Sequence, residues 1–185
     1  VADRFKPDVI LYYGGFVLDI LMTAEARHRG IPVAAFLCNG NFRGTRWCRD
    51  VDLILTDSHA TARHYAQQDG LTVVPVGAFI DPQPFLAPAH SRRHVLFVNP
   101  SLEKGAAIVC LLAMMLEDKR PDITFEIVES RGDWQSLVRL VSAQHGQPRD
   151  ALRNVLLTPN TPDMRPVYGR ARVLLAPSLW FESFG

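Results

Sequence analysis

HVLFVNPSLEKG, residues 94–105, is the stretch that decides the fold. Its first five residues form a short apolar run suited to a buried strand. The next seven are a polar turn ending in Gly105, and the apolar segment AAIVCLLAMML at 106–116 then reads as a helix. Strand, turn and helix in that order make half of a βαβ unit, whose crossover returns right-handed to a parallel strand. The turn also carries chemistry. Lys104 and Gly105 sit where the amides and dipole of a helix N-terminus already favour an anion, and Lys104 adds a full positive charge. A phosphate is the natural guest, and the alternative reading is that Glu103 and Lys104 are solvated first-turn residues. The GxxxxGK[ST] spacing of a Walker loop and the GxGxxG of a dinucleotide fold are both absent from the sequence.

The same alternation extends outward in both directions. After the stretch come strands at 123–128, 154–157 and 172–176 and helices at 133–144 and 164–170. Before it come strands at 8–13 (DVILYY), 32–37 (PVAAFL), 52–56 (DLILT) and 73–76, with helices at 16–29 and 58–68. Gly30 and Gly70 stop those two helices in the manner of C-caps, and Asp57 or Ser58 caps the start of the second. Between 78 and 93 the pattern lapses, and Pro82, Pro84 and Pro88 make a central strand or continuous helix there implausible. Apolar strands separated by helices predict an α/β protein of two Rossmann-like parallel-sheet halves, both incomplete, at 1–80 and 93–185 with a linker at 81–92. Ligands in such sheets bind at the carboxyl ends of the strands.

Composition narrows the partners. Of the 185 residues 48% are hydrophobic, enough for a sizeable core, and 20 basic against 19 acidic residues leave a net charge of +1. The strongly basic face that nucleic acid requires is therefore not expected. Three cysteines, Cys38, Cys48 and Cys110, are odd in number and lack the spacing of a zinc site, which fits a reducing, cytoplasmic setting. The longest apolar stretch, 106–116, is far short of the ~20 residues that span a bilayer, and it is expected to be a core helix under the sheet. The chain opens on Val1 rather than Met and ends in what reads as a loop, so it is expected to be a fragment.

A second loop draws attention. PSLWFESFG at 177–185 places one carboxylate, Glu182, among aromatic and small residues. That composition suits a sugar, with an apolar ring face on Trp180 or Phe184 and hydroxyls donating to the carboxylate. A lone loop Glu is otherwise a solvated residue. Asp57, Ser58 and His59 contain the letters of a hydrolase triad, but adjacent residues at a helix start point apart, and N-capping accounts for Ser58. The six histidines are scattered, so no metal site is expected. Trp47, in GNFRGTRWC at 40–48, reads either as packing or as part of a cleft.

The order KPDVI, GIPVAAF, DLILTDSHAT, VPVGAFID, VLFVNPSLEKG, RPDITFEIV, NVLLTP and ARVLLAPSLWFESFG resembles the GT-B glycosyltransferases of family 4, the retaining type, over nearly the entire chain. The most specific pieces are the EKG turn at 103–105 and the terminal P-S-x-x-x-E-S-F-G, which looks like the family's P-S-x-x-E-G-F-G loop with one extra residue. The resemblance implies transfer of a sugar from a nucleotide-diphosphate sugar to an acceptor hydroxyl, through a front-face, oxocarbenium-like state. Lys104 would stabilise the leaving diphosphate and Glu182 would hold the donor sugar, both as catalytic residues. Gly105, Ser183, Phe184 and Gly185 would line the donor pocket, and Asn160, in the loop at 158–163, would lie near the base.

Two departures stand out. Asn99 and Pro100 replace a Gly-Arg pair whose arginine is the family's second diphosphate cation, and Arg131 is the candidate substitute. Cys38 and Asn39 replace a histidine near the reaction centre. With Gly14 and Gly15 they form the expected acceptor side. The donor is a substrate, and neither a cofactor nor a metal is implied. The implied acceptor is a carbohydrate or a lipid-linked saccharide, and peripheral membrane association of the full-length protein stays open. The departures leave an alternative: a degenerate GT-B module that binds a nucleotide sugar or a partner without transfer.

Overall fold

The computed structural model describes residues 2–14 and 16–183. They fall into two compact units. One runs to Ile80 and takes in the described residues from Phe181 onward, and the other is Asp81–Trp180.

The first unit is a parallel sheet of β1 (Ile10–Tyr12), β2 (Val33–Leu37), β3 (Leu53–Thr56) and β4 (Val74–Pro75), in that spatial order. Its helices are α1 (Ala2–Phe5), α2 (Val17–His28) and α3 (His59–Asp69). Gly30 takes φ +68° just beyond α2, and Gly70 takes φ +66° at the end of α3, the left-handed turn that a glycine adopts without strain. Ser58, not Asp57, caps α3, its Oγ accepting from the Thr61 amide at 3.1 Å. Alternate residues of β2 (Val33, Ala35, Leu37) are buried, and Leu37, Cys48, Ile54, Tyr65 and Val73 form a core cluster. Tyr65 is the informative member. It lies in an otherwise polar helix, fully buried, and its hydroxyl donates to the Asn39 carbonyl at 2.7 Å and accepts from the Phe42 amide at 3.3 Å. One side chain thus fills the core and shapes the loop after β2.

The second unit is a parallel sheet ordered β7 (Val155–Thr158), β6 (Phe125–Val128), β5 (His94–Val98), β8 (Ala171–Leu174). The helices α4 (Ala106–Lys119) and α5 (Trp134–Gln144) pack with Phe97, Phe125 and Ile127 in one core cluster, while Val167 of α6 (Arg165–Arg170) joins Leu96 and Val128 in another. Each large side chain so buried contributes about 1.5–3 kcal/mol. β6 is buried along its whole length, yet it carries Glu126. That carboxylate accepts from Thr158 Oγ1 at 2.9 Å and from Arg170 Nη2 at 2.5 Å, which ties the end of α6 to the sheet. Glu117, also buried, pairs with Arg149 and accepts from the Arg153 amide at 2.5 Å, which fastens the end of α4.

One expectation needs amendment. α4 buries Ala106, Val109, Cys110 and Ala113, but Ile108, Leu112 and Met115 on its other side are exposed, so only one face is core. The segment 81–92, expected to be a linker, is partly structured. It holds a 3-10 turn at Gln83–Phe85, and the Ser91 amide donates to the Gly169 carbonyl at 2.7 Å, which places it with the second unit. No helix among the described residues is long and apolar enough to cross a membrane.

Candidate functional site

At the carboxyl end of the second sheet three loops are locked together through their backbones. After β5, Asn99 adopts a left-handed φ of +61°, the conformation that Asn tolerates best among residues with a side chain. A 3-10 turn, Leu102–Lys104, then leads to Gly105 at φ +81°, which stands at the N-terminus of α4. A Cβ on Gly105 would lie 2.1 Å from the Pro177 carbonyl oxygen, and the Leu179 amide donates to the Glu103 carbonyl at 2.8 Å. Only a glycine lets the chain after β8 come this close. On the other side, a Cβ on Gly132 would meet the Pro100 oxygen at 2.2 Å, and Asn99 Oδ1 accepts from the Arg131 amide at 3.2 Å.

This rim holds Lys104 and Arg131 as cations. Lys104 is half-buried at the end of the 3-10 turn, and its Nζ lies 5.7 Å from the centre of the Trp180 ring, within the ~6 Å reach of a cation–π contact. Trp180, which the sequence offers to a sugar, therefore also serves the lysine. Arg131 is exposed on the loop after β6, where its amide, through Asn99, fixes the turn. Asn160 is exposed on the loop after β7, the far edge strand of the same sheet. The Asn99 of the departure from the Gly-Arg pattern thus has an architectural use that sequence reading did not assign.

The carboxyl end of the first sheet is built differently. Gly14, at φ +76° after β1, faces the Phe42 ring, whose nearest carbon would be 3.2 Å from an added Cβ. Gly15 lies outside the described residues. Cys38 follows β2, half-buried; burial pushes its thiol up, the Tyr13 hydroxyl partly offsets this, and Asp57 adds to it. The thiol is therefore protonated at neutral pH and a poor nucleophile. Asn39 Oδ1 accepts from the Asn41 amide at 2.9 Å, closing a tight turn.

Residues 181–183 group with this unit rather than with the 93–185 half to which the sequence assigns them. The cause is a set of side-chain contacts. The Phe181 ring stacks on His64 with centroids 4.4 Å apart and covers Gly40, where a Cβ would stand 2.7 Å from its ring. Ser183 Oγ donates to the Cys38 carbonyl at 2.7 Å, and Thr61 Oγ1 donates to the Ser183 carbonyl at 3.4 Å. Cys38 and Ser183 are thereby brought together, with Glu182 half-buried between two anchored neighbours. Phe184 and Gly185 lie outside the described residues. Among the described residues no group of three His, Cys, Asp or Glu is placed to hold a metal ion.

Two Rossmann-like parallel sheets, each with its loops and helix N-termini at the strands' carboxyl ends, make the fold of the GT-B class. The particular structures it resembles are informative. Anabaena HepE, in complex with UDP and glucose, matches with a TM-score of 0.68 at 14% identity, covering 99% of this chain and 56% of HepE. TarM matches with a TM-score of 0.63 at 14% identity, over 85% of this chain and 34% of that one. The pneumococcal O-GlcNAc transferase GtfA, in complex with UDP and GlcNAc, matches with a TM-score of 0.55 at 16% identity, over 89% and 36% respectively. The chain spans roughly a third to a little over half of these structures, and identities this low establish the fold alone. No family model matches the sequence, and a search of curated proteins finds no match.

Proposed function

We propose that this chain carries part of a retaining glycosyltransferase that moves a sugar from a nucleotide-diphosphate sugar to an acceptor hydroxyl. The observation that carries the reading is Lys104 on the turn that delivers Gly105 to the N-terminus of the 14-residue α4, at the carboxyl end of a parallel sheet. A helix N-terminus and an ammonium group together suit a diphosphate, and their pull grows as charge develops on the leaving oxygen. In this reading the bond from the anomeric carbon to the diphosphate breaks, its electron pair goes to the phosphate oxygen, and the acceptor hydroxyl bonds to that carbon from the same face. The hydroxyl's proton passes to the departing phosphate. Glu182 accepts hydrogen bonds from the donor sugar, Arg131 supplies a second cation, and Asn160 and the amides following Glu182 complete the donor pocket. Family 4 membership, a cytoplasmic setting and independence from metal belong to this proposal.

Lys104→Ala should weaken nucleotide-diphosphate sugar binding and turnover by about 10- to 1000-fold, by analogy with the loss of other charge-stabilising groups. Unchanged donor kinetics would reject the role. Asn99, Pro100 and Cys38, where the resemblance leads one to expect an arginine and a histidine, favour a second reading, a module that binds nucleotide sugar without transfer. Nucleotide release from a panel of sugar donors, measured with and without chelator, separates the two. Turnover that survives the chelator removes the second.

A further inference from the structure

Trp180 is 46% exposed on the loop that follows β8, and it belongs to neither core cluster of the second unit. Burial therefore does not account for an indole at this position. The backbone that carries it is nevertheless held. The Pro177 carbonyl oxygen fills the space that a Gly105 Cβ would need, and the Leu179 amide donates to the Glu103 carbonyl at 2.8 Å. Trp180 is the residue after the donor of that bond, and Lys104 is the residue after its acceptor. One backbone hydrogen bond thus sets the starting point of both side chains, and the Lys104 ammonium stands over the indole ring, 5.7 Å from its centre.

A lysine carries its charge on a flexible four-carbon stem, and the entropy lost in ordering that stem opposes the binding of any anion to it. A ring that already attracts the ammonium removes part of that cost before the anion arrives. Tryptophan is the best of the aromatic side chains for this purpose, because its ring quadrupole draws a cation most strongly. The indole has no net charge, so it orders the ammonium without neutralising it.

We propose that Trp180 is a positioning residue: its ring holds the Lys104 ammonium at the rim, ordered in advance for the diphosphate, so that the indole acts through the lysine. This rests on the glycosyltransferase reading and gives the indole a task other than that of a platform for the sugar ring.

The test has a spectroscopic and a binding arm. The ε-methylene resonance of Lys104, assigned by its disappearance in Lys104→Ala, should lie upfield of those of Lys6 and Lys119 through the ring current of the indole. It should move back in Trp180→Leu and stay upfield in Trp180→Phe, which keeps a ring. Inorganic pyrophosphate is then titrated into the parent, these three variants and the Lys104→Ala/Trp180→Leu double variant. Trp180→Leu should weaken pyrophosphate about two- to fivefold, the scale of a cation–π contact at an exposed site, and Trp180→Phe should weaken it less. In the Lys104→Ala background Trp180→Leu should have no further effect, a coupling that a purely structural role of the indole would not produce. A Lys104 resonance indifferent to Trp180→Leu, or the same loss in both backgrounds, overturns the inference. If either occurs while Lys104→Ala still weakens pyrophosphate, the positioning role fails and the glycosyltransferase reading stands. Pyrophosphate that binds Lys104→Ala as it binds the parent removes the donor role of Lys104, and the positioning role with it.

Discussion

At the end of β5, backbone meets backbone: an added Cβ on Gly105 or Gly132 would collide with a carbonyl oxygen at 2.1 or 2.2 Å. At the end of β1, Gly14 meets only the ring of Phe42, at 3.2 Å. The same fold position is thus built rigid in one unit and soft in the other. A rim that held a charged diphosphate, as proposed for Lys104, would gain from fixed amides and a fixed helix terminus, since preorganised dipoles need no rearrangement when charge develops. A rim where Gly14 meets only the Phe42 ring tolerates small shifts of ring position.

Alanine at Gly105 and at Gly14 should break or sharpen this contrast most. Gly105→Ala combines a φ of +81° with a backbone overlap that no side chain can relieve, and it should cost roughly 3 kcal/mol or more. Gly14→Ala shares the positive φ but displaces only a ring, and should cost about 1–2 kcal/mol. Chemical denaturation of the two variants measures the difference. Equal losses would mean that the two rims do not differ in stiffness.

The next effect in size concerns Glu126. Burial alone would raise its pKa, but the Arg170 hydrogen bonds, then Thr158, and the charges of Arg170 and His94 hold it below the usual 4.5. Arg170→Ala should leave a buried carboxylate without its cation, at a cost of about 3 kcal/mol. The sign with pH follows. A folded-state carboxyl held below its unfolded value stabilises the protein fully above about pH 4.5, and that stability is lost as pH falls through the folded value. Melting temperature measured from pH 7 down to pH 3 should fall more steeply in the parent than in Glu126→Gln, which has no carboxylate left to protonate. Parallel curves would show that Glu126 is not held low.

Tyr65→Phe probes the softer rim. It keeps the buried ring and removes the hydroxyl that bridges the Asn39 carbonyl and the Phe42 amide, so a loss of about 1–1.5 kcal/mol is expected. Because the Phe42 ring packs on Trp47 with centroids 4.8 Å apart, the indole N–H resonance of Trp47 should also move. A stability loss with that signal unmoved would show that Tyr65 does not position the Phe42–Trp47 pair.

How much of this is legible in the sequence depends on whether the cause is local. Each strand and long helix announces itself by periodicity, and the turns by Gly30, Gly70 and Ser58, because hydrophobic spacing and capping act within a few residues. Lys104 and Gly105 are readable for the same reason, since a helix N-terminus is a local structure. Glu126 in FEIV and Tyr65 in HATARHYAQQD run against the pattern around them, and the partners that justify them, Arg170 and Asn39, lie 44 and 26 positions away in the chain. The anchoring of 181–183 is of this second kind. Nothing in PSLWFESFG tells that Phe181 will stack on His64 or that Ser183 will reach Cys38, because the cause is a pairing of distant segments. The exposed side of α4 is also hidden, since an apolar helix reads alike whether one face is covered or two.

The smallest expected effect is also the one for which the two units should behave alike. Ser58 caps α3 through the Thr61 amide at 3.1 Å, and Asp133 caps α5 through the Ser136 amide at 2.6 Å. Each satisfies one orphan donor of a first helical turn, and alanine at either should cost about 1 kcal/mol. The Asp133 carboxyl is held below its ordinary value by its side-chain and backbone hydrogen bonds with Ser136, and it also carries a charge favoured by the helix dipole, so only this cap should weaken in acid. Denaturant midpoints at pH 7 and near pH 3 test both points. The cost of Asp133→Ala should shrink at the lower pH while that of Ser58→Ala stays constant. A Ser58→Ala loss at neutral pH much above that of Asp133→Ala would mean that the α3 cap also serves the rim, through the Ser58–Thr61 pair and the Thr61 hydroxyl that reaches Ser183.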